Sequence, residues 1–140
     1  MFELLYTSVS PEGLSEEGLL EIQLEAQRNN ASKNITGMLV YYDREIMQLI
    51  EGEQEAIESL YEKIRNDPRH MLVEIFYSGQ ITERAFKDWS MEVVMLNEQH
   101  LKEYLYNGKA LVNELPIQKV IKKNPNQGKK MFLSLRDSLY

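Results

Sequence analysis

A chain of 140 residues that is 43% hydrophobic and 27% charged can build one compact core under a normally solvated surface, and is too short for two ordinary domains. Its net charge of −6 disfavours nucleic acid as a partner, because affinity for a phosphate backbone comes largely from neutralising it; the local basic patch of Lys122, Lys123, Lys129 and Lys130 has no base-stacking platform around it. The absence of cysteine excludes disulfides, thiolate metal sites and cysteine nucleophiles, and with no signal-peptide pattern or run of about 20 apolar residues a cytoplasmic protein without a membrane partner is expected.

Phe2 to Thr7 alternates loosely, is rich in apolar and aromatic residues, and reads as an opening strand. Pro11 and Gly13 mark a loop; Ser15, followed by Glu16 and Glu17, supplies an N-cap and acids at the positive end of a helix. That helix is predicted to run to Asn29 and Asn30, with Leu19, Leu20, Ile22, Leu24 and Ala26 as a broad apolar face. Two apolar runs, Ile35 to Tyr42 and Glu45 to Glu51, flank Asp43-Arg44 at hairpin spacing, and Gly52 ends the second. Ala56, Ile57, Leu60, Tyr61 and Ile64 draw a helical stripe that Pro68 stops. Leu72 to Tyr77 and Met91 to Leu96 complete the strands, with Ser78 to Asp88 expected as a polar loop containing a short helical turn.

This order predicts an α+β, ferredoxin-like fold: a five-stranded mixed sheet with two helices on one face. Past residue 97 the pattern changes. Leu101, Tyr104 and Leu105 predict one helix, and Met131, Phe132, Leu135 and Leu139 another, separated by a stretch containing Pro116 and Pro125. Residues 1–97 therefore read as the domain proper, and 98–140 as a helical extension that packs on the second face of the sheet or on a partner.

The informative residue is Gln48. Ile46, Gln48 and Ile50 share one face of their strand and Met47 and Leu49 the other, so an amide lies inside a buried strand. Left unpartnered it would cost roughly 1–3 kcal/mol, so it must bond to something specific, a loop carbonyl or a ligand. Tyr6 has the parity of Phe2 and Leu4. Asn29 and Asn30 stand where asparagine is a routine helix cap, and Trp89 and Met91, before the last strand, are ordinary core residue types. His70 and His100 stand apart, without an acidic partner pattern, so no metal site is expected.

In chain order, Tyr6-Thr7-Ser8, Arg28-Asn29-Asn30, Ile35-Thr36-Gly37-Met38-Leu39 and Met47-Gln48-Leu49-Ile50-Glu51-Gly52 are followed by Leu60-Tyr61-Glu62-Lys63-Ile64, Asp67-Pro68-Arg69-His70 and Trp89-Ser90-Met91. Any one of these is a weak signal; the ordered set resembles the BLUF domains, blue-light sensors that use flavin. The resemblance implies a flavin ring between the two helices, sandwiched by Ile22 and Ile64, with Asn30 on its polar edge and Asn29 beside it. It places Lys63, Arg69 and His70 toward the ring's edge or the ribityl and phosphate tail. FAD is the implied cofactor, with FMN and riboflavin as alternatives. It also implies a photoactive set: Tyr6 as electron and proton donor, Gln48 as the relay that ends rotated or tautomerised, and Trp89 and Met91 near this network. Such a domain is a switch and not an enzyme. A short stand-alone form is expected to signal through a downstream protein in trans or through its own homo-oligomer. The alternative is a non-photoactive ferredoxin-like module that binds a ligand or a protein. A hydrolase lacks an assignable Ser-His-Asp order, and a flavin oxidoreductase lacks the Gly-rich nicotinamide fingerprint.

Overall fold

The computed structural model describes residues 1–96 and 125–138, with residues 125–128 described by their backbone alone. In chain order the elements are β1 (Phe2–Val9), α1 (Glu16–Ala31), β2 (Thr36–Tyr42), β3 (Glu45–Gly52), α2 (Gln54–Arg65), β4 (Met71–Gln80), β5 (Glu92–Met95) and α3 (Pro125–Ser138). The strands form one sheet in the order β4-β1-β3-β2-β5. β1 runs antiparallel to both β3 and β4, β2 antiparallel to β3, and β2 parallel to β5. Each helical crossover, β1-α1-β2 and β3-α2-β4, therefore skips one strand, the split arrangement of a ferredoxin-like sheet. The predicted α+β fold is the observed one.

Local chemistry explains the boundaries. Ser15 Oγ accepts from the Gly18 amide at 3.0 Å and starts α1. The β2–β3 hairpin turns on Asp43 and Arg44, both in the left-handed region at φ 42° and 71°, which matches the right-handed twist of the flanking strands although neither residue is glycine. α1 continues to Ala31 and is capped by Ser32, so Asn29 and Asn30 lie in its last turn and do not cap it. Its apolar face is narrower than predicted: Leu20 and Leu24 are exposed, at 53% and 50%.

β4 extends past the predicted end, with Ser78 opposite Leu4 and Gln80 opposite Phe2. Polar residues are tolerated there because β4 is an edge strand that needs only its backbone for pairing. The segment from Ile81 to Met91 forms no helix; it is a loop with a single hydrogen-bonded turn, from the Trp89 amide to the Phe86 carbonyl at 3.1 Å. A register shift between Leu5 and Tyr6 accompanies the packing of both Phe76 and Tyr77 against the same cluster, the effect of a bulge that puts consecutive side chains on one side.

Strand alternation divides the core in two. Phe2, Leu4, Tyr6, Ile46 and Ile50 face α1 and α2, where Leu19, Ile57 and Tyr61 meet them. Leu5, Met38, Val40, Met47 and Leu49 face the other way, and Met131, Phe132 and Leu135 of α3 cover them. Lys129 Nζ reaches Glu3 Oε1 at 2.8 Å and Arg136 Nη1 donates to the Ala85 carbonyl at 3.0 Å, so polar contacts also seat α3. The helix predicted around Leu101, Tyr104 and Leu105, and Leu139, lie outside the described residues. Among the described residues no helix is long and apolar enough to cross a membrane.

Gly37 permits a close approach of β2 to β3: a Cβ there would overlap the Leu49 carbonyl oxygen. Gly37→Ala is expected to destabilise the protein by about 1–3 kcal/mol or more, read as a lower midpoint in urea; an unchanged midpoint would contradict this packing.

Candidate functional site

Between α1 and α2 the sheet floors a cleft of about 170 Å³ that opens to solvent. Ile22 and Ala26 form the α1 wall, Leu60 and Ile64 the α2 wall, and Tyr6, Leu39, Ile46 and Gln48 the floor. Apolar walls over a floor with a few polar groups suit a flat, largely apolar ring that carries hydrogen-bonding atoms on one edge.

Gln48 is held in place by β3, which lies between β1 and β2 and puts Tyr6 and Leu39 directly beside it. Its side chain is buried. The Tyr6 hydroxyl donates to Gln48 Oε1, and Gln48 Nε2 donates to Met91 Sδ at 3.1 Å. An amide nitrogen carries two N–H donors; Met91 takes one, and the other is available to an acceptor in the cleft. Burial, and then the charges of Asp67 and Tyr61, push the Tyr6 phenol far above its usual range, with Arg69 opposing more weakly. Tyr6 is therefore a neutral donor whose hydroxyl proton points at the Gln48 oxygen.

The remaining residues selected from sequence divide. Ile22, Asn29, Asn30, Lys63, Ile64, Arg69 and His70 all line the cleft. Asn30 is buried and its Nδ2 donates to the Ser90 carbonyl at 3.0 Å. His70 has both ring nitrogens engaged, Nδ1 with Ser8 Oγ at 2.8 Å and Nε2 with the Ile64 carbonyl at 2.6 Å, and meets Tyr6 edge-on. Arg69 lies at the mouth between two carboxylates, bonded to Asp67 Oδ2 at 2.5 Å and to Glu25 Oε2 at 3.3 Å. The bonds from Arg69 hold the Asp67 carboxyl below the usual carboxylate range, against a smaller opposing effect of burial.

Trp89 is not brought into this set. Its ring stacks on Phe86 at 5.7 Å and packs against the cluster of the second face, whereas Met91 belongs to the cluster beneath α1 and α2. Residues two apart share a face only along a strand. The chain bends at Ser90 and β5 begins at Glu92, so the two side chains part.

Sequence reasoning missed Gln23 and Gln27, whose Nε2 atoms donate to the Met91 carbonyl at 3.4 and 3.0 Å. Their spacing with Asn30, four and then three residues, was the available signal of a polar stripe on the inner side of α1. Glu51 appeared only within a motif, yet it is fully buried and accepts from Thr36 Oγ1 and from the amides of Ala85 and Phe86. Lys33 was also missed; the neighbouring ammonium of Lys63 lowers its pKa. No group of metal-ligating side chains forms among the described residues, and His100 lies outside them.

A family model described as sensors of blue-light using FAD matches residues 1–92. The photoactivated adenylate cyclase subunit beta of Euglena longa is 38% identical over 89 residues, 63% of this chain and 10% of that protein. The subunit alpha of Euglena gracilis is 38% identical over 86 residues, 61% of this chain and 8% of that protein. The chain thus spans about a tenth of the length of the curated relatives it matches. Among solved structures, the dark state of BlrB, a BLUF protein, superimposes with a TM-score of 0.79 at 25% identity, covering 98% of this chain and 96% of the other. The photo-activated state of BlsA gives 0.72 at 30% identity, covering 93% and 94%.

Because the Asp67 pKa is lowered in the folded protein, the link to Arg69 contributes stability that is present above the ordinary carboxylate pKa of about 4 and lost as pH falls through the depressed value. Arg69→Gln should therefore shift the Asp67 titration upward, followed by the carboxyl carbon in NMR, and narrow its stability deficit as the solution is acidified. A titration that stays in place would remove Arg69 as the cause.

Proposed function

The chain belongs to the BLUF family, whose members sense blue light with a flavin, and on that premise we propose that the cleft between α1 and α2 holds the flavin and that Tyr6 and Gln48 are its switch. The observation that carries the reading is the unbroken chain of bonds on the cleft floor, from the Tyr6 hydroxyl through the Gln48 amide to Met91 Sδ. The cleft fits the ring: Ile22 and Ile64 stand on opposite walls, and one Gln48 N–H remains to meet a polar edge.

A bound flavin supplies absorption of blue light and, once excited, oxidising power. The protein's part is to hold a transferable proton and the place where it goes. Tyr6 keeps its own proton and directs it at Gln48 Oε1, so loss of an electron from the phenol and movement of that proton onto the amide oxygen follow one existing bond. A protonated amide turns or tautomerises, and its donor and acceptor ends exchange places. The electron returns to the phenol and one proton returns from the amide group to Tyr6, from Oε1 to leave the amide or from Nε2 to leave its imidic-acid tautomer, so atoms and charge balance and only Gln48 is changed. The domain is thus a sensor and catalyses no turnover. Asn30, with Asn29 beside it, would hold the ring's polar edge on the α1 side.

FAD is our assignment among the flavins. It is supported by the family description, sensors of blue-light using FAD, and by Lys63 on the cleft lining, a cation suited to the phosphates that riboflavin lacks. The output is assigned to a partner protein in trans or to a second copy of the chain. Solved relatives include a bacterial light-regulated adenylyl cyclase, of which this chain covers 36%, so in that protein the equivalent of this chain is joined to a larger remainder. A cytoplasmic setting suits a chain without cysteine.

The purified protein is expected to be yellow and to show a reversible red shift under blue light. Tyr6→Phe and Gln48→Leu should retain flavin and lose the shift. A colourless protein, or a normal photocycle in Gln48→Leu, would refute the proposal.

A further inference from the structure

We infer that Gln23 and Gln27 of α1 are positioning residues for Met91, and that through it they set the lifetime of the rearranged Gln48. The inference rests on the reading of Gln48 as the switch. Both glutamines donate to one acceptor, the Met91 carbonyl, at 3.4 and 3.0 Å, while Asn30 on the same stripe holds the preceding carbonyl of Ser90 at 3.0 Å. A carbonyl oxygen has two lone pairs, and here both are taken by side chains of one helix.

The placement matters because Met91 lies outside the regular ladder. β5 pairs with β2 from Glu92 onward and the Gly37 amide of β2 holds the Trp89 carbonyl at 3.0 Å, but the Met91 carbonyl between them is held by the side-chain amides of α1. A methionine side chain, with its freely turning bonds, fills gaps and does not locate itself. Its sulfur stays beneath Gln48 because its backbone is pinned.

That pin biases the switch. In the arrangement described, Gln48 Nε2 points at Met91 Sδ. Where Gln48 ends turned as the amide, a bare Oε1 faces the sulfur. Two acceptors then oppose one another and no bond forms. A Met91 that cannot move away therefore disfavours the rearranged state, and a released Met91 tolerates it.

The test uses the full-length, flavin-loaded protein with Gln23→Leu and Gln27→Leu combined, with Met91→Leu, and with all three changes. The glutamine pair is expected to retain the red shift and slow its reversal in darkness about threefold to tenfold, the effect of losing one modest hydrogen bond. Met91→Leu should slow reversal similarly, and the triple variant no further, since residues acting through one another are not additive. Trp89 is the single tryptophan and adjoins the pinned segment, so acrylamide should quench its dark-state emission more readily when the glutamines are removed. Should the double variant not fold, Gln27→Ala alone should move both readouts in the same direction by a smaller factor. Unchanged reversal and quenching, or slowing that adds to that of Met91→Leu, would overturn the inference. If the unsubstituted protein shows no red shift, the reading of Gln48 fails instead, and the quenching result still reports whether the amides hold the segment.

Discussion

Everything in this molecule is arranged around a neutral amide that must be buried and must be bonded. Gln48 occupies a central strand between Tyr6 and Leu39, where a carboxylate would bring a charge into the core and a hydrocarbon would carry no bond. An amide alone presents a donor and an acceptor on one short arm whose ends can exchange without change of charge. Which end points where is decided by its neighbours: a phenol that only donates to it and a sulfur that only accepts. The split crossovers of the sheet serve this by keeping both helices on the face to which Gln48 points, so that a cleft opens over the amide and not behind it.

The same strand serves the opposite face three residues on. Glu51, buried on the α3 side, accepts from the Ala85 and Phe86 amides at 2.9 and 2.7 Å and from Thr36 Oγ1 at 2.9 Å. Leaving such a buried carboxyl group without its partners costs about 1–3 kcal/mol or more, so the segment after β4 is firmly anchored at Ala85 and Phe86. Arg84 strengthens the anchor by donating to the Asn34 carbonyl at 2.6 Å and to Thr36 Oγ1 at 2.8 Å, and Arg136 of α3 takes the Ala85 carbonyl. From there the segment crosses from the second face, where Phe86 and Trp89 stack, to the cleft floor, where Met91 meets Gln48. The cleft and α3 are thus joined by one short stretch of chain, anchored at one end by a carboxylate and at the other by the amides of α1. Contiguity of this kind is a route for coupling and becomes a mechanism only with an element that has two arrangements; Gln48 is the candidate for that element.

Where periodicity carries the structural information, the sequence was readable. The β2–β3 hairpin and the stripe of α2 follow from alternation and helical spacing alone. α1 was harder because its exposed leucines, Leu20 and Leu24, look like core, while the glutamines that face the sheet look like surface. Pattern reading assumes that polar means outside, and it fails where a helix uses amides to hold another segment. The end of β4 was missed for a related reason: an edge strand needs backbone pairing, and Ser78 to Gln80 provide that without apolar side chains. The divergence of Trp89 and Met91 depends on a bend at Ser90 that no parity rule anticipates. Parity showed that Tyr6 and Gln48 are buried on one face; that they bond to each other, across 42 positions of sequence, came only with the ordered set of family motifs. Glu51 escaped notice because its partners, Ala85 and Phe86, are more than 30 positions away.

The choice of sulfur as the second neighbour of Gln48 follows from what a reversible switch requires. Two arrangements can both be visited only if their free energies lie within a few kcal/mol of each other. A backbone carbonyl or a carboxylate in place of Met91 Sδ would be a strong acceptor and would lock Nε2 toward itself. A plain hydrocarbon would express no preference, and the starting arrangement would rest on Tyr6 alone. A thioether is a weak acceptor, enough to favour one orientation and too weak to forbid the other. This weakness is useful only if the sulfur stays where the amide can reach it. A flexible side chain on a bend before β5 therefore needs its backbone held by groups outside the sheet, and the amides of α1 are the groups that hold it.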